Sequence, residues 1–360
     1  MSAPLIIGGG LAGAAAGIDL ARAGQAPVLL ERETAAHDKI CGEFLSGEAV
    51  AALAGLGVDA RRAGAVPITR VALHAGHRKA GARLPFPALS LSRRVLDEAL
   101  LERAAAAGVD VQRGVSVRGL SGGVAHTTAG AIAAPATLLA TGKHDLRGTP
   151  RPDGPDEIGF KMYFRDAALA RQLAGTVAVT FFDGGYAGLQ PVEGGRLNLC
   201  LLVDGAHYRE LGSWPALLAR LAREPALAAL ADAEPLLPRP LAISRVPYGH
   251  LARAADDGLW RLGDQAAVIP SFCGDGMAIA LESGRLAAAM LAQGATAAQF
   301  QRALLARTRR PVQLAMAALA VARHPAGRLA AIAGLSAIPG ALGLMARLTR
   351  VADPRALAPA

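Results

Sequence analysis

The chain opens with short apolar runs alternating with a longer helical one. Residues 4–7 are apolar and run into glycines, 11–23 have helical composition and stop at Gly24, and 28–30 are apolar again before Glu31. This order predicts strand, helix, strand, and hence a parallel sheet. A helix is predicted over 91–107, with Ser92 as N-cap and Gly108 as stop. Segments 109–117 and 124–133 read as strands joined by glycine turns, and 136–140 as a buried strand. The texture changes after Gly148, where 150–155 is a Pro/Gly/Asp-rich linker. Four strand-like runs follow, 158–164, 176–182, 186–192 and 197–203, the last two joined by a hairpin turn through Gly194 and Gly195. They predict an antiparallel sheet in a second domain. Strand texture returns at 259–262, and from Gly274 the chain is nearly all helical.

Composition narrows the class. With 360 residues, 52% hydrophobic and 19% charged, the chain is long enough for a large core and is not disordered. Its cysteines, Cys41, Cys200 and Cys273, are odd in number and form no C-x-x-C. This argues against a disulfide scaffold, a zinc site or a cysteine-bound cluster; no metal is expected, and a reducing, cytoplasmic setting is. The first residues carry no basic stretch of the kind that starts a signal peptide.

The net charge of +9 suggests nucleic acid, but aromatics at 4% are poor material for base stacking. The charge is also local. Residues 283–352 contain nine arginines and no acid, and the other 29 basic residues balance 29 acidic ones. No nucleic-acid partner is therefore expected. The same tail is otherwise very apolar, and Pro339 and Gly340 interrupt it. Three arrangements fit it: helices covering a substrate cavity, helices lying on an anionic membrane surface, or a hairpin packed on the body.

The clearest motif is Gly8-Gly9-Gly10-Leu11-Ala12-Gly13, which fits G-x-G-x-x-G at Gly8, Gly10 and Gly13. It sits between a predicted strand and helix, where Gly8 allows the turn, Gly10 the approach of a pyrophosphate and Gly13 the helix–strand packing. The N–H groups of Leu11 and Ala12 open the helix toward that anion. Glu31, 21 residues after Gly10, is placed to accept adenosine ribose hydroxyls, with Arg32 beside it. An acid there fits FAD or NAD better than NADP.

A second constellation chooses between dinucleotides. Gly263-Asp264 is followed by Pro270 and by Gly274-Asp275-Gly276-Met277. This resembles the Gly-Asp motif of FAD-dependent oxidoreductases of the aromatic hydroxylase and geranylgeranyl reductase superfamily. Three further segments are similar: Lys39 to Ser46 with Cys41-Gly42, Arg93-Arg94-Val95-Leu96-Asp97, and Ala140-Thr141-Gly142. The resemblance spans residues 1 to about 295. It implies that Asp264 binds the ribityl chain, that Gly274 to Met277 face the flavin ring, that Arg93 reaches the cofactor, and that Thr141 and Gly142 flank its adenosine side. It also implies tightly bound, non-covalent FAD, with NAD(P)H docking transiently as reductant. No second dinucleotide motif is present.

The expected fold is α/β, with a Rossmann-like FAD-binding domain over 1–150 and part of a substrate domain, about 66–90, inserted in it. An antiparallel β-sheet substrate domain follows over 151–250, the FAD-binding domain returns over 251–295, and basic, apolar C-terminal helices occupy 296–360. Only four lysines occur, and Lys39, Lys143 and Lys161 fall in motif segments, which suggests recognition of an anion. Cys41 and Lys161 are candidate catalytic residues, and Cys41 reads equally as a small buried hydrophobe. Phe160, Met162, Phe181, Tyr186, Gln190 and Pro270 are candidates for a pocket over the flavin.

The flavin carries the hard chemistry in such enzymes. The first expectation is a monooxygenase hydroxylating or epoxidising an apolar or aromatic, polyketide-like molecule of secondary metabolism. The second is reduction of a lipid double bond, and the third a non-catalytic flavin electron carrier. The Trp-x-Trp-x-x-Pro signature of flavin halogenases is absent, since Trp214 and Trp260 lie far apart.

Overall fold

The computed structural model describes residues 3–338 and 340–350, so the last ten positions of the segment expected at 296–360 fall outside it. Leu5–Ile7 lies at the centre of a five-stranded parallel sheet, flanked by Val28–Glu31 on one side and Thr137–Leu139 on the other. Leu259–Arg261 and Asp110–Arg113 complete its edges. The Leu11–Arg22 and Gly276–Ala292 helices pack together closely enough that a Cβ on Gly284 would lie 2.3 Å from the Ala12 carbonyl oxygen. Small residues are therefore required where the two helices meet.

The second sheet has nine strands. All four expected middle strands are present, as Glu157–Arg165, Thr176–Phe182, Gly185–Val192 and Arg196–Asp204. The strands Val66–Ala75 and Arg78–Ser90 join the same sheet. Pairing is antiparallel except between Val66–Ala75 and Thr176–Phe182, which run parallel. The expected strand at 124–133 is instead two short strands, Val124–Thr127 and Gly130–Ala133, folded back on each other in a small third sheet.

One face of the large sheet carries Phe160, Met162, Phe164 and Leu199 against helices around Leu217 and Leu221. The other carries Leu73, Val179, Phe181 and Tyr186 against Leu319, Ile332 and Leu342 of the C-terminal helices. Those helices are Ala297–Arg323, Pro325–Ala337 and Ala341–Leu348. A capping box of Thr296 and Gln299 starts the first of them. Phe300 stacks on Trp260 at 5.1 Å between ring centroids, fixing that helix to the parallel sheet.

Candidate active site

The glycine motif folds as a turn that only glycine can make. Gly8 has φ +107°, and a Cβ there would sit 2.5 Å from the Ala140 carbonyl oxygen. A Cβ on Gly13 would lie 2.0 Å from the Gly8 oxygen. The surface at Gly10 is open instead: a Cβ there would meet only the Arg93 guanidinium at 3.4 Å and the Lys39 ammonium at 4.0 Å. The Leu11–Arg22 helix starts at Gly10 with no side-chain cap, so its first N–H groups face this space. Two cations and an uncapped helix start suit a diphosphate.

Asp97 holds both cations in place. Its carboxylate accepts from Arg93 Nε and Nη2 at 2.7 and 2.9 Å, and Lys39 Nζ lies 2.7 Å away. Burial works to raise the Asp97 pKa, but Arg93 and Lys39 outweigh it and hold the carboxyl below its ordinary value. Glu31, at the end of the second strand, accepts from the backbone N–H groups of Gly9 (2.9 Å) and Glu33 (3.0 Å). It is thus a fixed carboxylate bound to the loop that carries the motif. Arg32 is half exposed and pairs with Glu33. Thr141 caps its own turn by donating to the His144 carbonyl at 2.6 Å.

On the far side of the parallel sheet, Asp264 lines the cavity and pairs with Lys143 at 3.1 Å. Burial pulls the Lys143 pKa down and Asp264 overrides it, so the ammonium stays charged. Arg151, nearly buried, donates to the Asp264 and Lys143 carbonyls at 2.7 and 2.9 Å. Gln265 ties in Gly142 at 2.8 Å. The Gly276–Ala292 helix also begins without a side-chain cap, and Gly274, Gly276 and Met277 line the cavity. Asp275 is buried and accepts from Arg350 at 3.0 Å.

The residues thus fit FAD: a glycine cradle with cations beside it, a fixed carboxylate at the end of the second strand, a second one in the cavity wall, and two uncapped helix starts. Of the expected cofactor residues, Gly10, Leu11, Ala12, Cys41, Gly42, Arg93, Gly142 and Asp264 line one continuous cavity of about 630 Å³.

That cavity continues between the large sheet and the C-terminal helices. Phe181, Tyr186 and Gln190 line it, as expected. Phe160 and Met162 do not, because strand alternation turns them to the opposite face, where Phe160 packs on Tyr208 and Trp214. Pro270 is buried beneath, and its neighbours Ser271 and Phe272 line the wall instead.

Lys161 also departs from the reading of an anion-binding or catalytic lysine. It is fully buried, ion-paired with Glu43 and donating to the Lys39 carbonyl at 3.0 Å. Glu43 has φ +60° and also accepts from the Tyr163 hydroxyl at 2.7 Å and the Arg93 N–H at 2.8 Å. Burial raises its pKa against the pull of Lys161. This knot fixes the loop that carries Cys41 and Gly42, whose carbonyls also accept from Asn198 at 3.1 and 3.0 Å. Glu43 was not singled out from the sequence, although a lone acid between Gly42 and Phe44 was its signal.

Tyr186, Ser271 and Tyr248 form the polar feature of the apolar chamber. Tyr186 and Ser271 hydroxyls are 2.7 Å apart, Tyr248 lines the same wall, and burial raises both phenols, so both stay neutral. Cys41 lies in the wall near Arg93. Cys200 and Cys273 are pushed up to about 12 by burial and are inert thiols.

Residues 2–134 match the FAD binding domain family. No curated protein matches the chain in sequence. Among solved structures, the flavin-dependent brominase Bmp2 aligns with TM-score 0.80 at 17% identity, over 97% of this chain and 93% of its own. PqsL, a probable FAD-dependent monooxygenase from Pseudomonas aeruginosa, aligns with TM-score 0.73 at 19% identity, over 94% and 100%. A geranylgeranyl bacteriochlorophyll reductase-like protein from Thermoplasma acidophilum aligns with TM-score 0.76 at 18% identity, over 99% and 94%. At these identities the likeness is one of fold. The chain thus carries, over residues 2–134, a match to the FAD binding domain family, within a fold that nearly its whole length shares with flavin-dependent proteins.

Proposed function

We propose that the protein is an FAD-dependent, NAD(P)H-driven monooxygenase of a bulky, uncharged, apolar molecule. The observation that carries this reading is the electrical neutrality of the cavity wall. Each arginine or lysine lining it is paired with a carboxylate: Arg93 with Asp97, Lys143 with Asp264, Arg328 with Asp183, Arg350 with Asp275. Glu43, which also lines it, is paired with Lys161. The remaining wall is largely aliphatic and aromatic, including Leu73, Val179, Phe181, Ile332, Leu335 and Leu342. A charged substrate would have to break one of these pairs, whereas an apolar one gains by leaving water.

Bound FAD would supply the redox chemistry, taking reducing equivalents from nicotinamide and passing them to oxygen or substrate. The chain would bind and orient. The Leu11 and Ala12 N–H groups, with Lys39 and Arg93, would hold the diphosphate, Glu31 the ribose and Asp264 the ribityl hydroxyls. The N–H groups opening the Gly276–Ala292 helix would stabilise negative charge on the pyrimidine edge. Tyr186, Ser271 and Tyr248 would orient a hydroxyl or keto group of the substrate. The C-terminal helices would keep water from the reacting atoms.

One observation favours a second reading, reduction of an isolated double bond: Cys41 stands in the cavity wall, and the cover above it is aliphatic. The two readings part on oxygen. FAD-loaded protein is reduced with NADH or NADPH without oxygen and given apolar polyketide-like or isoprenoid substrates. Product that forms only after oxygen is admitted and carries one of its atoms supports monooxygenation. A saturated product formed without oxygen supports the second reading. A protein that takes up no FAD would sink both.

A further inference from the structure

The exposed large hydrophobic residues among the described ones are Leu314, Val321, Leu329, Ile338, Leu344 and Leu348; five lie in the three C-terminal helices, and Ile338 follows directly after the second of them. Val321 and Ile338 also line the cavity, with Ile338 61% exposed, so the cavity reaches the surface within this apolar face. The charge around the face is of one sign. No acid occurs from 283 to 350, and Arg302, Arg309, Arg310 and Arg347 are exposed with no ion pair among the described residues. The other five arginines of the stretch, 285, 307, 323, 328 and 350, pair with acids of the body. Five of the nine arginines thus tie this stretch to the body, and four are exposed, with Arg310 four residues before Leu314 and Arg347 next to Leu348.

We infer that this face docks on an anionic lipid bilayer and that the apolar substrate enters the cavity from the bilayer at Ile338. Arginines beside aliphatic side chains suit an interface with anionic headgroups above and acyl chains below. Among the described residues no single helix is long and apolar enough to cross a membrane; Pro325–Ala337 and Ala341–Leu348 reach that length and hydropathy only as a pair bent by 114°. The entry route rests on the proposed apolar substrate; the docking does not.

The test is flotation of the full-length, FAD-loaded protein with vesicles of equal parts phosphatidylcholine and phosphatidylglycerol, which requires no turnover. Flotation is expected with these, and little with phosphatidylcholine alone. Exchanging Arg309, Arg310 and Arg347 for serine should weaken binding about a hundredfold. Leu344→Glu with Leu348→Glu should abolish it while FAD content and circular dichroism stay as in the parent protein. If the glutamate variant fails to fold, the serine variant decides alone. Equal flotation on both vesicle types by parent and variants would overturn the inference. So would absence of flotation together with a dimer in sedimentation that the glutamate pair dissociates, which would assign the face to a second copy of the chain.

Discussion

At the scale of single residues, the site depends on buried charge that is fully paired. Asp97 is the clearest case, because it alone anchors two cations at the glycine cradle. Its pKa is held below the ordinary value, so it contributes stability that is complete above the unfolded value of about 3.9 and is lost as pH falls through the folded one. Asp97→Asn leaves Arg93 without its counter-charge and should cost about 3 kcal/mol at neutral pH. The gap between parent and variant should narrow progressively as pH falls below about 3.9, as urea titrations at neutral and acid pH would show. FAD affinity at neutral pH should fall with it, because Arg93 and Lys39 lose their anchor. The resemblance of Arg93-Arg94-Val95-Leu96-Asp97 pointed to Arg93, and the scarcity of lysine to Lys39 and Lys161. What it could not supply was the partner of each: Glu43 and Lys161 are 118 residues apart. Lys161 consequently read as a free anion-binding group when it is one half of a buried pair.

At the scale of elements, period and register were unequally legible. The lengths of the four strands between 157 and 204 follow from their apolar runs, and the helix at Arg93–Ala106 begins at the expected Ser92 cap. Which face of a strand borders a cavity depends on what packs above it, and alternation alone is symmetric. Hence Phe181 and Tyr186 fell on the cavity side and Phe160 and Met162 on the other. The C-terminal helices show the same limit, since their composition suits a cover, a membrane contact or a hairpin. The deciding contacts are distant ones, such as Arg350 with Asp275, the Cys273 carbonyl at 2.9 Å and the ring of Phe86. Arg350→Ala should release the last helix while the sheets persist. Faster amide exchange confined to 341–348, with a several-fold weaker hold on FAD through the neighbouring 273–277 turn, is the expected pattern. Unchanged exchange there would mean that packing of Leu342 alone holds the helix.

At the scale of the whole molecule, the two halves of the cavity are built by different parts of the chain. The cradle end rests on the parallel sheet and its two uncapped helix starts. The chamber end is closed only because the C-terminal helices return across the large sheet, with Leu319, Ile332 and Leu342 against Leu73 and Phe181. This separation makes the ends independently adjustable. Ala322, on the Ala297–Arg323 helix, lines the chamber and lies partly buried among these residues. Ala322→Trp adds a bulky ring to the chamber and touches none of the groups assigned to FAD. The substituted protein should bind FAD as tightly as the parent and should be reduced by nicotinamide at a similar rate. Turnover of the apolar substrate should fall about tenfold or more, mainly through KM. Loss of FAD instead would show that chamber and cradle fold as one unit. Unchanged KM would place the substrate elsewhere than under the C-terminal helices.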